Sequence, residues 1–232
     1  MRAALAAVMV AALPLSAVGA CQGMVLHAHR GAPDAPENSL SGVRRAFEGG
    51  WDGAEIDIQQ LRDRSWVLHH DLLLGRTTNG PGGMPYNLDR AAWQALTLKD
   101  RRGQPVRESP PFLADVLAGI GQRHDKVLNV EIKQPFLSCD AARQAVAVLS
   151  RGRPSGQWFL TAIDRRHLRC ARQADPHAYL GLITLDARTM ARASPVPFGW
   201  RTAAKSPALG KDWLQQLQHD IRPPGMTLES PR

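Results

Sequence analysis

Two short segments of this chain carry ionisable side chains at strand spacing. In GAEIDIQ, residues 53–59, Glu55 and Asp57 alternate with apolar residues. Residues two apart on a strand share a face, so the two carboxylates point the same way. In NVEIK, residues 129–133, Glu131 and Lys133 repeat the pattern. Paired carboxylates on an apolar strand are costly in a core unless positive charge meets them. A salt bridge to an arginine is one answer. A hard divalent cation held by oxygen ligands is the other. Two further segments, LHAHRG and VLHHD, place His29, Arg30 and His70 where apolar runs empty into loops. A lone histidine there reads as structural. Seven ionisable residues at four strand ends make a poor stabilising network, and as a set they point to an active site.

The neighbouring histidines read differently. His27 shares a face with His29 but lies deeper along the strand, and His69 points away from His70. Both read as structural, His69 packed under a helix. Asp71 is open between orienting His70 and capping the following turn.

The elements that must position these groups alternate. MVLHAH, GAEIDIQ, SWVLHHD, KVLNVEIK, QWFLTAI and AYLGLIT read as strands. ENSLSGVRRAFEGG reads as a helix with Leu40, Val43 and Phe47 on one face, ended by Gly49-Gly50. RAAWQALTL, FLADVLAGIG, CDAARQAVAVLSRG and DRRHLRCARQAD read as helices, and LLLGRTTNGPGGMPYNLDR as a long irregular segment. Strands alternating with helices imply parallel βαβ units. The predicted fold is α/β, a TIM-type (β/α) barrel, with an open doubly wound sheet as the alternative. Active sites of such barrels lie at the C-terminal ends of the strands, where these residues sit. No GxGxxG or P-loop follows any strand.

The chain has 232 residues, is 44% hydrophobic and carries a net charge of +8, enough apolar residues for one sizeable core. Its basic residues are scattered, with no long basic run, so a solvated basic surface is expected and nucleic acid is not a predicted partner. The N-terminus, MRAALAAVMVAALPLSAVGAC, has the layout of a bacterial secretory signal over residues 1–20. VGAC also looks like a lipobox, with Cys21 as the lipidated residue. An exported lipoprotein of the periplasm or cell envelope is therefore expected, with plain cleavage after Ala20 as the alternative. Cys139 and Cys170 remain as a pair that export would permit. Free buried thiols are the expectation.

HRG followed by PENS, EIDIQ, HHDLLLGRTTNG, PPFLADVL and EIK, in that order, resembles the glycerophosphodiester phosphodiesterase family. The resemblance runs from about His29 to about Leu185. It is looser over the last strand–helix–strand, where Ala162 replaces a usual serine. It implies a TIM-type barrel that hydrolyses glycerophosphodiesters to glycerol 3-phosphate and an alcohol, over residues 21–232 as a single domain. It implies Glu55, Asp57 and Glu131 as ligands of one divalent cation, Mg2+ or Ca2+. His29 and His70 would be the acid–base pair, and Arg30 and Lys133 the phosphate contacts. In this family the glycerol's own neighbouring hydroxyl would attack, giving a cyclic phosphate that water opens. Glu37 and Asn38 would either organise the first loop or cap the helix after it. The tail after about residue 190 is atypical, since it lacks the continuous Val/Ile/Leu runs of buried parallel strands. An incomplete or irregularly closed barrel is therefore predicted. Two other functions stay open: an impaired relative that binds phosphorylated headgroups or partners, and a phospholipase C- or D-type barrel acting on lipids.

Overall fold

The GAEIDIQQ segment forms the strand with the most neighbours in a six-stranded sheet in the computed structural model, which describes residues 25–121 and 123–183. This strand, β2 (Gly53–Gln60), is flanked by β1 (His27–Ala28) on one edge and β4 (Val127–Ile132) on the other, both parallel. The sheet continues in parallel through β5 (Trp158–Ala162) to β6 (Leu180–Leu182).

SWVLHHD departs from the expected alternation. Only Trp66–Leu68 is strand (β3), and it runs antiparallel to β2. Five residues separate β2 from β3, which suffices for a hairpin and is far too short for a parallel crossover. Ile58 pairs with both Leu68 and Ile132, so β3 lies on the β1 edge, beyond the end of β1. Past β3 the chain still runs alongside β2, with the His69 N–H donating to the Asp57 carbonyl at 3.0 Å.

Alternation along the strands divides the sheet into two faces. Ala54, Ile56, Ile58, Leu128, Val130, Ile132 and Leu160 lie on the face covered by helices and are nearly or fully buried. Against them pack α1 (Leu40–Glu48), α3 (Leu113–Gly119), α4 (Cys139–Gly152) and α5 (Arg165–Ala174). The opposite face carries Glu55, Asp57, Gln59, Asn129, Glu131 and Thr161. Three of these helices start on side-chain caps: Ser39 accepts from Gly42 N–H, Ser138 from Ala141 N–H, and Asp164 from Arg166 N–H. The predicted helix RAAWQALTL is shorter than expected. Only Arg90–Gln94 is helical (α2), capped by Asp89, and Leu98 instead bridges to Thr78 in antiparallel fashion.

Cys139 and Cys170 form a disulfide joining the start of α4 to α5, which corrects the expectation of free thiols. The two helices pack side by side on the sheet, and this brings the cysteine Cα atoms to 5.3 Å. Among the described residues, β1 and β6 each have a single strand neighbour, so the sheet is an open arc of a (β/α) barrel. The predicted secretory segment, Cys21 and the atypical tail lie outside the described residues. No helix among the described residues is long and apolar enough to cross a membrane.

Candidate active site

The β2–β4 register sets Asp57 opposite Glu131, and Glu55 lies one step along the same face. Carboxylate oxygens of the three residues fall within 4.8 Å of one another, and all three side chains are buried. Like charges so close cannot all ionise cheaply in a poorly solvated place. Burial, reinforced by the Asp57 charge beside it, pushes the Glu55 carboxyl up to about 8. Burial also raises Glu131, against the pull of Lys133.

Two cations offset the cluster. Lys133 Nζ lies 2.7 Å from Glu131 Oε1 and 3.7 Å from Asp57 Oδ1. Arg30 Nε lies 3.4 Å from Asp57 Oδ2, and the Arg30 backbone N–H donates to Glu55 Oε2 at 2.9 Å. That N–H reaches Glu55 because the chain turns sharply after β1. Arg30 has φ +58 and Gly31 φ +87. A Cβ on Gly31 would meet the Gly42 backbone at 2.9 Å, so glycine lets this turn pack against α1. Asn38, also left-handed at φ +52, donates to Asp57 Oδ2 at 2.8 Å and accepts from Asp57 N–H at 2.9 Å. Asn38 thus organises the first loop, while Ser39 caps α1. Asp57 Oδ1 remains buried with no hydrogen-bond donor. A buried carboxylate oxygen without a donor, in a set of three convergent carboxylates, fits a hard divalent cation.

Both predicted histidines border this cluster. His29 Nε2 stands 3.9 Å from Glu55 Oε2, with its side chain largely exposed. Partial burial, then the Arg30 charge, lowers its pKa below the usual imidazole value. His70 Nδ1 stands 2.7 Å from Asp71 Oδ1. Asp71 is held at about 2: burial opposes this, but hydrogen bonds from Arg76 and His70 outweigh it. An ionised carboxylate only accepts, so Nδ1 carries the proton and Nε2 is left as the free nitrogen. Asp71 therefore orients His70. His69 is buried edge-on to Trp93 of α2, as expected, and His27 packs its ring against Phe159.

Three positioning contacts escape a reading of the sequence. Gln59 Nε2 donates to the carbonyls of His69 and Asp71, at 3.1 and 2.7 Å, and so fixes the turn that carries His70. Its place two residues after Asp57 on an alternating strand was the available signal. Thr161, opposite Glu131 on β5, donates to Asn129 Oδ1 at 3.1 Å. Arg76 joins Asp71 to Glu37, a pairing between distant loops that leaves no local mark.

The glycerophosphoryl diester phosphodiesterase family model matches residues 29–199, beyond Leu185 where the motif resemblance ends. A glycerophosphodiester phosphodiesterase of Caldanaerobacter subterraneus is 29% identical over 160 residues, 67% of this chain and 65% of that protein. The chain thus spans just under two thirds of that relative's length. The structure of an Oleispira antarctica phosphodiesterase in complex with the product sn-glycerol-3-phosphate superposes with a TM-score of 0.66 at 25% identity, covering 85% of this chain and 72% of that one. A putative glycerophosphodiester phosphodiesterase from Galdieria sulphuraria shares the fold, with a TM-score of 0.63 at 16% identity over 84% of this chain and 71% of its own. With the family model covering well over half of its length, this chain belongs to the glycerophosphoryl diester phosphodiesterase family.

Proposed function

We propose that this protein hydrolyses glycerophosphodiesters to glycerol 3-phosphate and an alcohol. The observation that carries the reading is the buried Glu55–Asp57–Glu131 cluster with two histidines and two cations at its border. Family membership and the product bound by the Oleispira relative support the substrate class. Glu55, Asp57 and Glu131 would hold one divalent cation, Mg2+ or Ca2+, which when bound neutralises phosphoryl charge as a Lewis acid. Arg30 and Lys133 orient the phosphate by charge-assisted hydrogen bonds. His29 and His70 form the acid–base pair: one takes the proton of the attacking hydroxyl, the other protonates the leaving alcohol. Their roles exchange when water opens the cyclic phosphate.

Purified protein is to be assayed for glycerol 3-phosphate released from glycerophosphocholine, glycerophosphoethanolamine and glycerophosphoglycerol, with and without Mg2+, Ca2+ or EDTA. Release that depends on the cation supports the reading. Binding without turnover would make the protein a headgroup binder instead, and turnover of intact phospholipid alone would make it a phospholipase of the C or D type.

The N-terminal segment and the Cys139–Cys170 disulfide together support a further part of the reading, export and anchoring through a lipid on Cys21. Cys21→Ala should move the protein from the membrane fraction to the soluble periplasmic fraction. A wild-type protein found free in the periplasm or in the cytoplasm removes the anchor.

A further inference from the structure

Arg76, from the RTTNG segment, has no part in the proposed chemistry, yet it sits between the two loops that carry it. Its Nε and Nη2 donate to Asp71 Oδ2 and Oδ1 at 2.6 and 3.1 Å. Its Nη1 and Nη2 donate to Glu37 Oε1 and Oε2 at 2.9 and 2.8 Å. Each carboxylate has a second partner. Asp71 Oδ1 takes His70 Nδ1, and Glu37 Oε2 takes Arg30 Nη1 at 2.9 Å. An unbroken run of polar contacts therefore joins His70 to Arg30 through Asp71, Arg76 and Glu37.

An isolated surface ion pair contributes little. This arrangement differs in geometry, because the planar guanidinium meets two carboxylates in fork-like fashion and fixes the orientation of both. A carboxylate that hydrogen-bonds an imidazole sets its tautomer and ring angle. We propose that Arg76 is a positioning residue for the phosphodiester reaction: it clamps Asp71 and Glu37, and so holds His70 and Arg30 in fixed relation across the two loops. The proposal rests on the function proposed above. In support, Glu37 is held at about 2 although burial opposes this, by hydrogen bonds from Arg76 and then Arg30.

The test uses the full chain carrying Arg76→Gln or Arg76→Lys, with three readouts: kcat and KM for glycerophosphocholine, the melting temperature, and amide hydrogen exchange of the loops around Glu37 and Asp71. In Arg76→Gln, kcat should fall about tenfold to a hundredfold while the melting temperature stays within a few degrees. KM should rise only about threefold, because Arg30 stays beside Asp57 when Glu37 is released. Arg76→Lys should recover part of kcat, since it keeps the charge but loses the fork. Amides of both loops should exchange faster in Arg76→Gln. A kcat that stays at the wild-type value overturns the clamp, as does exchange unchanged in both loops. If the wild-type protein releases no glycerol 3-phosphate, the proposed function fails on its own. Loop exchange still decides the clamp: faster exchange of both loops in Arg76→Gln retains it, and unchanged exchange discards it.

Discussion

His70 and His29 reach the same cluster with unequal support. His70 is fixed at Nδ1 by Asp71, while His29 is largely exposed and meets Glu55 only at 3.9 Å. Removing either should reduce turnover by about a hundredfold or more, the usual worth of a positioned proton donor or acceptor. His70→Ala and His29→Ala should both melt within a few degrees of wild type, since neither ring is part of the core. Turnover near the wild-type level in either variant removes that histidine from the acid–base pair. Glu55→Gln, Asp57→Asn and Glu131→Gln should each weaken divalent cation binding, read by calorimetry, because in the proposed site each of the three carboxylates would supply a charged oxygen ligand. The carboxylates were legible in the sequence because strand alternation is a local rule: GAEIDIQ and VEIK announce a shared face before any fold is known. Arg76 was not legible. Its partners lie 5 and 39 residues away, and which carboxylates it meets depends on how two loops travel.

At the scale of elements, the helices CDAARQAVAVLSRG and ENSLSGVRRAFE stood out because apolar periodicity and serine caps agree. β3 and α2 were harder. SWVLHHD has the composition of a buried strand, but its direction is set by the short connection before it. RAAWQALTL has a helical pattern, yet the last residues are taken by a bridge to Thr78 and by a hydrogen bond from Leu98 N–H to the Glu108 carbonyl. The Cys139–Cys170 disulfide ties α4 to α5 on the helix-covered face, away from the carboxylates. Closing a loop with a separation of 31 residues removes entropy from the unfolded chain, worth about 3.7 kcal/mol. The Cys139→Ser, Cys170→Ser double variant should lose about that much stability in urea unfolding while kcat stays within about twofold. An unchanged urea midpoint would show that the bridge contributes nothing, and a collapsed kcat that α4 and α5 are coupled to the site.

For the whole molecule, the inner face joins the site to the stability of the fold. Without a cation, the three buried carboxylates oppose folding, and Glu55 carries this most clearly, pushed up to about 8 by burial and by Asp57. In the unfolded chain a glutamate titrates near 4.3. The folded form therefore binds the extra proton between those two values. Glu55 contributes stability that is fully present below the unfolded pKa and is lost as pH rises through about 8. A divalent cation held by these carboxylates would reverse the balance, because it prefers the ionised carboxylate and would displace that proton. Cation binding to the folded state also adds stability, about 2.7 kcal/mol at a hundredfold excess over Kd. The melting temperature in EDTA should then fall from pH 5 to pH 9, while in saturating Mg2+ or Ca2+ it should fall much less. The gap between the two curves should widen with pH and should shrink at the alkaline end in Glu55→Gln, which cannot ionise. A gap of constant width from pH 5 to pH 9 would mean that the cation binds somewhere other than Glu55, Asp57 and Glu131.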